Sequence, residues 1–273
     1  MPILGAKDRH GEAGSMTFEH PHWERISITH DNGVTEMQFH TNGGSFVWDA
    51  QAHTELTEAF DWVGKNHATK VLILTGTGEA YCTELDVTSF TRHSWDYIWW
   101  EGRRMLRNLN DVEIPIIGAV NGPALIHSEI PVMGDIVLAA EHAEFADKAH
   151  FPLRDTIPGD GVNLVWGELL GPTRVKYWLL TGSVIGAEEG KQIGFINEVL
   201  PAEKLMDRAW EIARDLARRD VAMLRYAKAA ASIGFRRNFN EGLSHGLGVE
   251  GSGHWYMGGL KAGQLSGHET PRP

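Results

Sequence analysis

The chain has 273 residues, 42% of them hydrophobic and 22% charged, which is enough apolar mass for a sizeable core and too little charge for a disordered chain. A formal net charge of −11 disfavours nucleic acid, whose binding needs basic groups on phosphates, and weighs against a membrane surface. The single cysteine, Cys82, excludes an internal disulfide and a multi-cysteine metal site; with no signal-peptide core and no apolar run long enough to span a bilayer, a cytoplasmic protein is expected.

In chain order, residues 1–18 read as a loose polar tail. RISITHDNGVTEMQFH reads as a hairpin turning at Asn32-Gly33. Ala52, Leu56, Phe60 and Val63 recur at helical spacing and predict a helix over 49–66. KVLILTG (70–76) predicts a buried strand, and 94–110 a helix with Ile98, Met105, Leu106 and Leu109 inward. IPIIGAVNG (114–122) and DIVLAAE (135–141) predict strands. After Pro158-Gly159-Asp160-Gly161 a helix is expected to Gly171, then another from Pro172. FINEVLP predicts a last strand before helices over 202–219 and 221–234, with a second loose tail over 258–273. Strands alternating with helices, followed by helices alone, predict an α/β layered fold.

Several segments resemble the crotonase (enoyl-CoA hydratase/isomerase) superfamily in order and spacing. KVLILTGTGEAYCTELD resembles its strand and oxyanion loop, IPIIGAVNGPAL its second strand and Asn-Gly turn, and TIPGDG its Ile-Pro-Gly turn. LLTGSVIGAEEGKQIGFINEVLP resembles the segment after its active site, and the likeness spans about residues 24–235. It implies a spiral of ββα units over 19–200, with a C-terminal helical trimerisation region over 201–257 and assembly as a homotrimer or dimer of trimers.

The departures from the family bear on function. Its hydratases carry one glutamate behind a triple glycine and another before the Ile-Pro-Gly turn. Here NGPALIHSEIPVMGD offers His127, and ADKAHFPLRDTIPGDG offers His150 and Asp160. These replacements resemble the β-diketone hydrolase branch typified by 6-oxocamphor hydrolase. The resemblance implies that His150 and Asp160 activate water and that His127 contacts the diketone. It further implies a cyclic or bicyclic β-diketone as small-molecule substrate, retro-Claisen cleavage, and no metal or organic cofactor.

That chemistry asks for these residue types. Water must attack one carbonyl while the other holds the departing carbanion as an enolate. Neutral imidazole is the side chain best matched to take a proton from water near pH 7. It needs a carboxylate to fix its tautomer, here expected to be Asp160, kept ionised by helix-opening amides and the helix dipole. The competing reading of His127 is a satisfied histidine in a strand-to-helix turn. Glu129 reads as structural with room for a role, since Pro131 and the altered turn would re-aim it.

By the same likeness Trp48 and Phe90 line the pocket, with Trp48 expected at the mouth where a CoA arm would enter; the competing reading of each is core packing. The oxyanion amide falls near Leu85, although the family's glycine is Glu84 here. His245-Gly246 stands where the branch has a His-Glu pair, and Glu250, one turn on, is the candidate substitute. Cys82 reads as a packed small residue. Gly242-Leu243-Ser244-His245-Gly246 fits G-x-S-x-G without a preceding strand, and His20-Pro21-His22 lacks a third metal ligand. Trp95, Trp99 and Trp100 read as interface or core. The rival functions are a CoA-thioester hydratase, isomerase or hydrolase, disfavoured by the missing glutamates and missing basic residues in HTNGGSFVWD, and a non-catalytic scaffold.

Overall fold

Asn32 and Gly33 take φ values of +49° and +87°, the left-handed pair that a tight two-residue hairpin requires. They join β1 (Ile26–Asp31) to β2 (Val34–Phe39) antiparallel, with Asp31 opposite Val34. The computed structural model describes residues 18–151 and 155–262. Residues 1–17 of the first expected tail and 263–273 of the second lie outside the described residues.

From the hairpin the chain climbs as a spiral in which each turn gives one strand to a main sheet, one short pairing to a smaller sheet, and one helix. The first turn is β2, β3 (Phe46–Trp48) and α1 (Ala50–Lys65). The second is β4 (Val71–Thr75), β5 (Cys82–Leu85) and, after a 3₁₀ turn at Val87–Arg92, α2 (Trp95–Asn110). The third is β6 (Ile116–Val120), two isolated bridges at Ala124, and α3 (Glu129–Val132). The fourth is β7 (Ile136–Ala140), β8 (Glu144–Phe145) and α4 (Val162–Thr181). Then come β9 (Ile185–Gly186), α5 (Ala187–Ile193), β10 (Glu198–Leu200), α6 (Ala202–Ala217) and α7 (Val221–Ala262).

The main sheet runs β1-β2-β4-β6-β7-β10 and is parallel from β2 onward. Its central strands β4 and β6 are buried at every residue because both faces are covered. One face, with Val71, Ile73, Ile117 and Leu138, is covered by α6 through Leu205, Ala209, Ala213 and Ala217. Those alanines recur every four residues, so one small-residue stripe seats the helix. The other face packs on the main core, which holds Leu56, Phe60 and Val63 of α1 and Met105, Leu106 and Leu109 of α2. The smaller sheet links β3, β5, Ala124, β8 and β9 across that core.

The end of the chain departs from the sequence expectation. Instead of a helix over 221–234 and a tail from 258, α7 is one helix through Ala262. Its glycines lower helix propensity by about 1 kcal/mol each relative to alanine, which is why the pattern reads as broken. Tertiary contact overrides that deficit: a Cβ on Gly246 would collide with the Gly159 carbonyl, and one on Gly242 or Gly253 with Leu164 or Ile157. The expected break at Gly171-Pro172 does appear, as a kink inside α4 where Gly171 leaves helical geometry.

Candidate active site

The chain leaving β8 carries Asp147 and His150, only 4% and 6% exposed. His150 Nδ1 lies 2.9 Å from Asp147 Oδ1. A carboxylate can only accept, so Nδ1 carries the proton and Nε2 faces the cavity. Opposite Nε2 stand Asp160 Oδ2 at 3.5 Å and Glu250 Oε1 at 3.7 Å. The orienting carboxylate is therefore Asp147, not Asp160, which faces the working nitrogen instead. The sequence gives little sign of this, because Asp-x-x-His in an irregular segment puts no two side chains on a common face by rule.

Asp160 sits in the Gly159-Asp160-Gly161 turn that opens α4. The expected amide support is weak, since Val162 N is 3.5 Å from Asp160 Oδ1. Burial pushes its carboxyl up to about 7; His150 pulls the other way, and the neighbouring Glu250 charge adds to the rise. The expectation of a simply ionised Asp160 is thus corrected. Burial works against the charged form of His150, but Asp160, Asp147 and Glu250 together hold its pKa well above the usual imidazole value. For Glu250, burial is outweighed by His150 and His254, which keep the carboxylate below its usual range.

His127 follows the Asn121-Gly122 turn. Asn121 pins that turn to the β4–β5 loop, accepting from Gly76 N at 3.1 Å and donating to Gly78 O at 2.9 Å. His127 itself has φ +48°, a left-handed backbone uncommon for any residue but glycine and found at functional sites. Its Nδ1 is 2.7 Å from Glu129 Oε1 and 3.6 Å from Asp160 Oδ2. Glu129 is fully buried at the start of α3 and pairs with His127, so the role left open beside the structural one is to hold that imidazole. Burial lowers the His127 pKa, but the Glu129 charge and hydrogen bond outweigh it, and the net shift is upward.

A cavity of about 390 Å³ receives these groups, and all seven candidates, His150, Asp160, His127, Trp48, Phe90, Leu85 and Glu250, line it. Trp48 is not at its mouth: β3 turns it inward, 2% exposed, with its ring 3.8 Å from that of His127. Leu85 ends β5, opposite Trp48 in the β3–β5 pairing, and Glu84 continues that strand, so no glycine is required there. Glu250 is brought in by α7, while His245, one turn earlier, is exposed. The outer end is framed by Val87, His93, Trp95 and His254. Trp95 is thus a lining residue, and Trp100 is exposed.

Sequence reasoning missed a third histidine–carboxylate pair, whose histidine lines the wall. His53 Nδ1 is 2.7 Å from Glu101 Oε2, whose other oxygen accepts from Thr54 and Tyr97. The helical spacing in α1 presents His53 as a core position, and its partner is 48 residues away in α2. Cys82 is buried and its thiol pKa is pushed far up by burial, as suits a packing residue. The G-x-S-x-G pattern lies inside α7, where no nucleophile elbow forms.

Ligand atoms of His150, Asp160 and Glu250 lie within 4.8 Å of one another, as do those of His127, Glu129 and Asp160. Both groupings share Asp160, and in each the histidine nitrogens already face carboxylates. The arrangement is accounted for as a proton-sharing network of two imidazoles and four carboxylates.

The sequence matches the enoyl-CoA hydratase/isomerase family over residues 29–249. A crotonyl-CoA hydratase from Syntrophomonas wolfei is 29% identical over 195 residues, 70% of this chain and 74% of that protein. A mitochondrial enoyl-CoA hydratase from Pongo abelii is 28% identical over 192 residues, and the chain spans 65% of that protein's length, just under two thirds. Among solved structures, a β-diketone hydrolase from the cyanobacterium Anabaena, bound to (S)-3-oxocyclohexyl acetic acid, is 40% identical with a TM-score of 0.83, covering 86% of this chain and 96% of that one. From its spiral fold, its matched length and these relatives, the chain belongs to the enoyl-CoA hydratase/isomerase family, on the branch that includes this β-diketone hydrolase.

Proposed function

We propose that this protein hydrolyses a carbon–carbon bond in a cyclic or bicyclic β-diketone by a retro-Claisen reaction. One observation carries the reading: Asp160 Oδ2 stands between two histidines, 3.5 Å from His150 Nε2 and 3.6 Å from His127 Nδ1, inside a largely apolar cavity. The 40% identity to a β-diketone hydrolase supports it.

In this mechanism His150, held by Asp147, takes a proton from water through Nε2, and the hydroxide oxygen bonds to one carbonyl carbon. The bond to the central carbon breaks, and its electrons are held as an enolate on the second carbonyl oxygen. His127, with Nδ1 committed to Glu129, offers Nε2–H to that oxygen. The enolate carbon takes back the proton, and the product is a keto acid. Trp48, Leu85 and Phe90 supply an apolar wall that suits a compact uncharged ring. The chemistry calls for no metal or organic cofactor, since an imidazole and a second imidazolium supply the base and the electrophile. Exposed Tyr177 and Leu180 on α4 and Tyr226 and Ile233 on α7 favour an interface between copies, for which the proposed assembly is a homotrimer or dimer of trimers, tested by light scattering.

The test is turnover of cyclic and bicyclic 1,3-diketones in H₂¹⁸O, read by mass spectrometry. One ¹⁸O in the carboxylate of a ring-opened keto acid is the expected result. The second reading, a CoA-thioester hydratase, is favoured by the names of the two hydratases above. Hydration of crotonyl-CoA at about 10⁴ M⁻¹s⁻¹ or more, with no diketone turnover, would replace the first reading by it.

A further inference from the structure

The proposed reaction leaves a proton to be removed. Water supplies one hydroxyl to the acyl carbon and one hydrogen to the released carbon, and the carboxylic acid formed then ionises near neutral pH. Its proton passes to His150 Nε2, which has just given its own to the enolate carbon. Each turnover therefore delivers one proton to a site whose His150 and Glu250 side chains are each only 8% exposed. The more firmly such a cluster holds its proton, the slower its direct loss to water, by about tenfold per unit of pKa.

One path out is visible. Glu250 Oε1 lies 3.7 Å from His150 Nε2 and also 3.7 Å from His254 Nε2. His254 stands one turn further along α7, its ring 4.8 Å from that of Trp95, and its side chain is 42% exposed at the cavity's outer end. Both gaps exceed a hydrogen bond by about half an ångström, a distance one small rotation of the glutamate closes on one side at a time. Glu250 Oε2 is buried without a partner, so no second bond fixes the carboxylate in place. The charged groups facing Glu250 are His150 and Asp160 across the cavity and His254 on its own helix. From α2, His254 meets the uncharged ring of Trp95.

We propose that His254 is the proton exit of this site, with Glu250 passing the proton from the buried His150 to a histidine that reaches solvent. This rests on the diketone-hydrolase reading above. It extends that reading to a residue at the cavity's outer end whose work begins after the carbon–carbon bond is broken.

The experiment compares the full-length protein with His254→Gln and His254→Arg on a bicyclic 1,3-diketone, at low and high concentrations of imidazole buffer. Glutamine removes the titrating group; arginine keeps a positive charge beside Glu250 but does not release its proton near neutral pH. Both variants are expected to lose about tenfold in kcat at low buffer and to recover with added imidazole, with KM unchanged, while the wild type is insensitive to buffer. Wild-type kcat in both variants at low buffer, or a loss that imidazole does not restore, overturns the proposal. Recovery by arginine alone also overturns it, because the role would then be charge rather than transfer. Absence of diketone turnover in the wild type removes the underlying function instead, and the proposal with it.

Discussion

Asp147 accepts a 2.9 Å hydrogen bond from His150 Nδ1, and this contact decides which imidazole nitrogen meets the cavity. Asp147→Asn offers an amide that can hold the wrong tautomer, so kcat should fall about 10–100-fold with the fold intact. His150→Ala, which removes the base altogether, should cost at least about 10². Steady-state kinetics on one diketone tests both; an Asp147→Asn variant as fast as the wild type would return the orienting role to Asp160.

The pH profile follows from the same cluster. His150 is held above its usual pKa, and only its neutral form accepts a proton, so the rate should rise with pH along a limb lying above about 6.5. Glu250→Gln removes one of the carboxylates that favour the imidazolium. The limb should then shift to lower pH even as the maximum rate falls. A limb unmoved by this substitution would show that another group controls it.

Asp160 predicts a stability effect opposite to its effect on rate. Its carboxyl is raised from 3.8 to about 7 by burial, so the native state binds this proton more tightly than the unfolded chain. The associated stability is present at low pH and is lost as pH rises through about 7. Asp160→Asn cannot ionise and should lose less Tm between pH 6 and pH 8 than the wild type does, while catalysis drops. Equal Tm losses in calorimetry would contradict the raised value.

His127 should act mainly in the transition state. If it binds the developing enolate, His127→Ala lowers kcat and kcat/KM together and leaves KM nearly unchanged. Its φ of +48° adds a second readout. His127→Gly relieves the left-handed backbone and should be more stable than His127→Ala by about 1 kcal/mol, with the same catalytic loss.

Gly246→Ala should destabilise the protein although alanine favours helices by about 1 kcal/mol. The added methyl meets the Gly159 carbonyl, which is backbone and cannot swing aside. Lower Tm accompanied by reduced kcat is expected, since the displaced helix carries Glu250. A gain in Tm would mean that α7 tolerates a wider spacing.

What the sequence revealed divides along physical lines. The hairpin, β4, β6, β7, α1 and α2 are legible because turn chemistry and apolar period lie within each segment. β3, β5, β8 and β9 are two to four residues long and exist through pairing with distant strands, which no local window records. α7 runs beyond the expected 221–234 because its glycines are contact points with residues far away in the chain. At the site, the family likeness led to seven residues that share one cavity. It did not lead to Asp147 or to the His53–Glu101 pair, whose roles arise from close approach in the folded chain. Trp48 was expected at the mouth because a likeness fixes position along the chain, not the direction a strand turns its side chain.

The contact of Gly159 with Gly246 has a consequence for how this protein could change its substrate. Asp160 and Glu250 ride on two backbones that touch with no side chain between them. The spacing of the two backbones that carry these acids is thus set by main chain, independently of the residues that shape the remainder of the cavity. Leu85, Phe90, Ile98 and Met105 come from other elements and can be enlarged, trimmed or exchanged without moving the acids. A scaffold so divided lets selection or an engineer alter the ring that is accepted while the bond-breaking apparatus stays fixed.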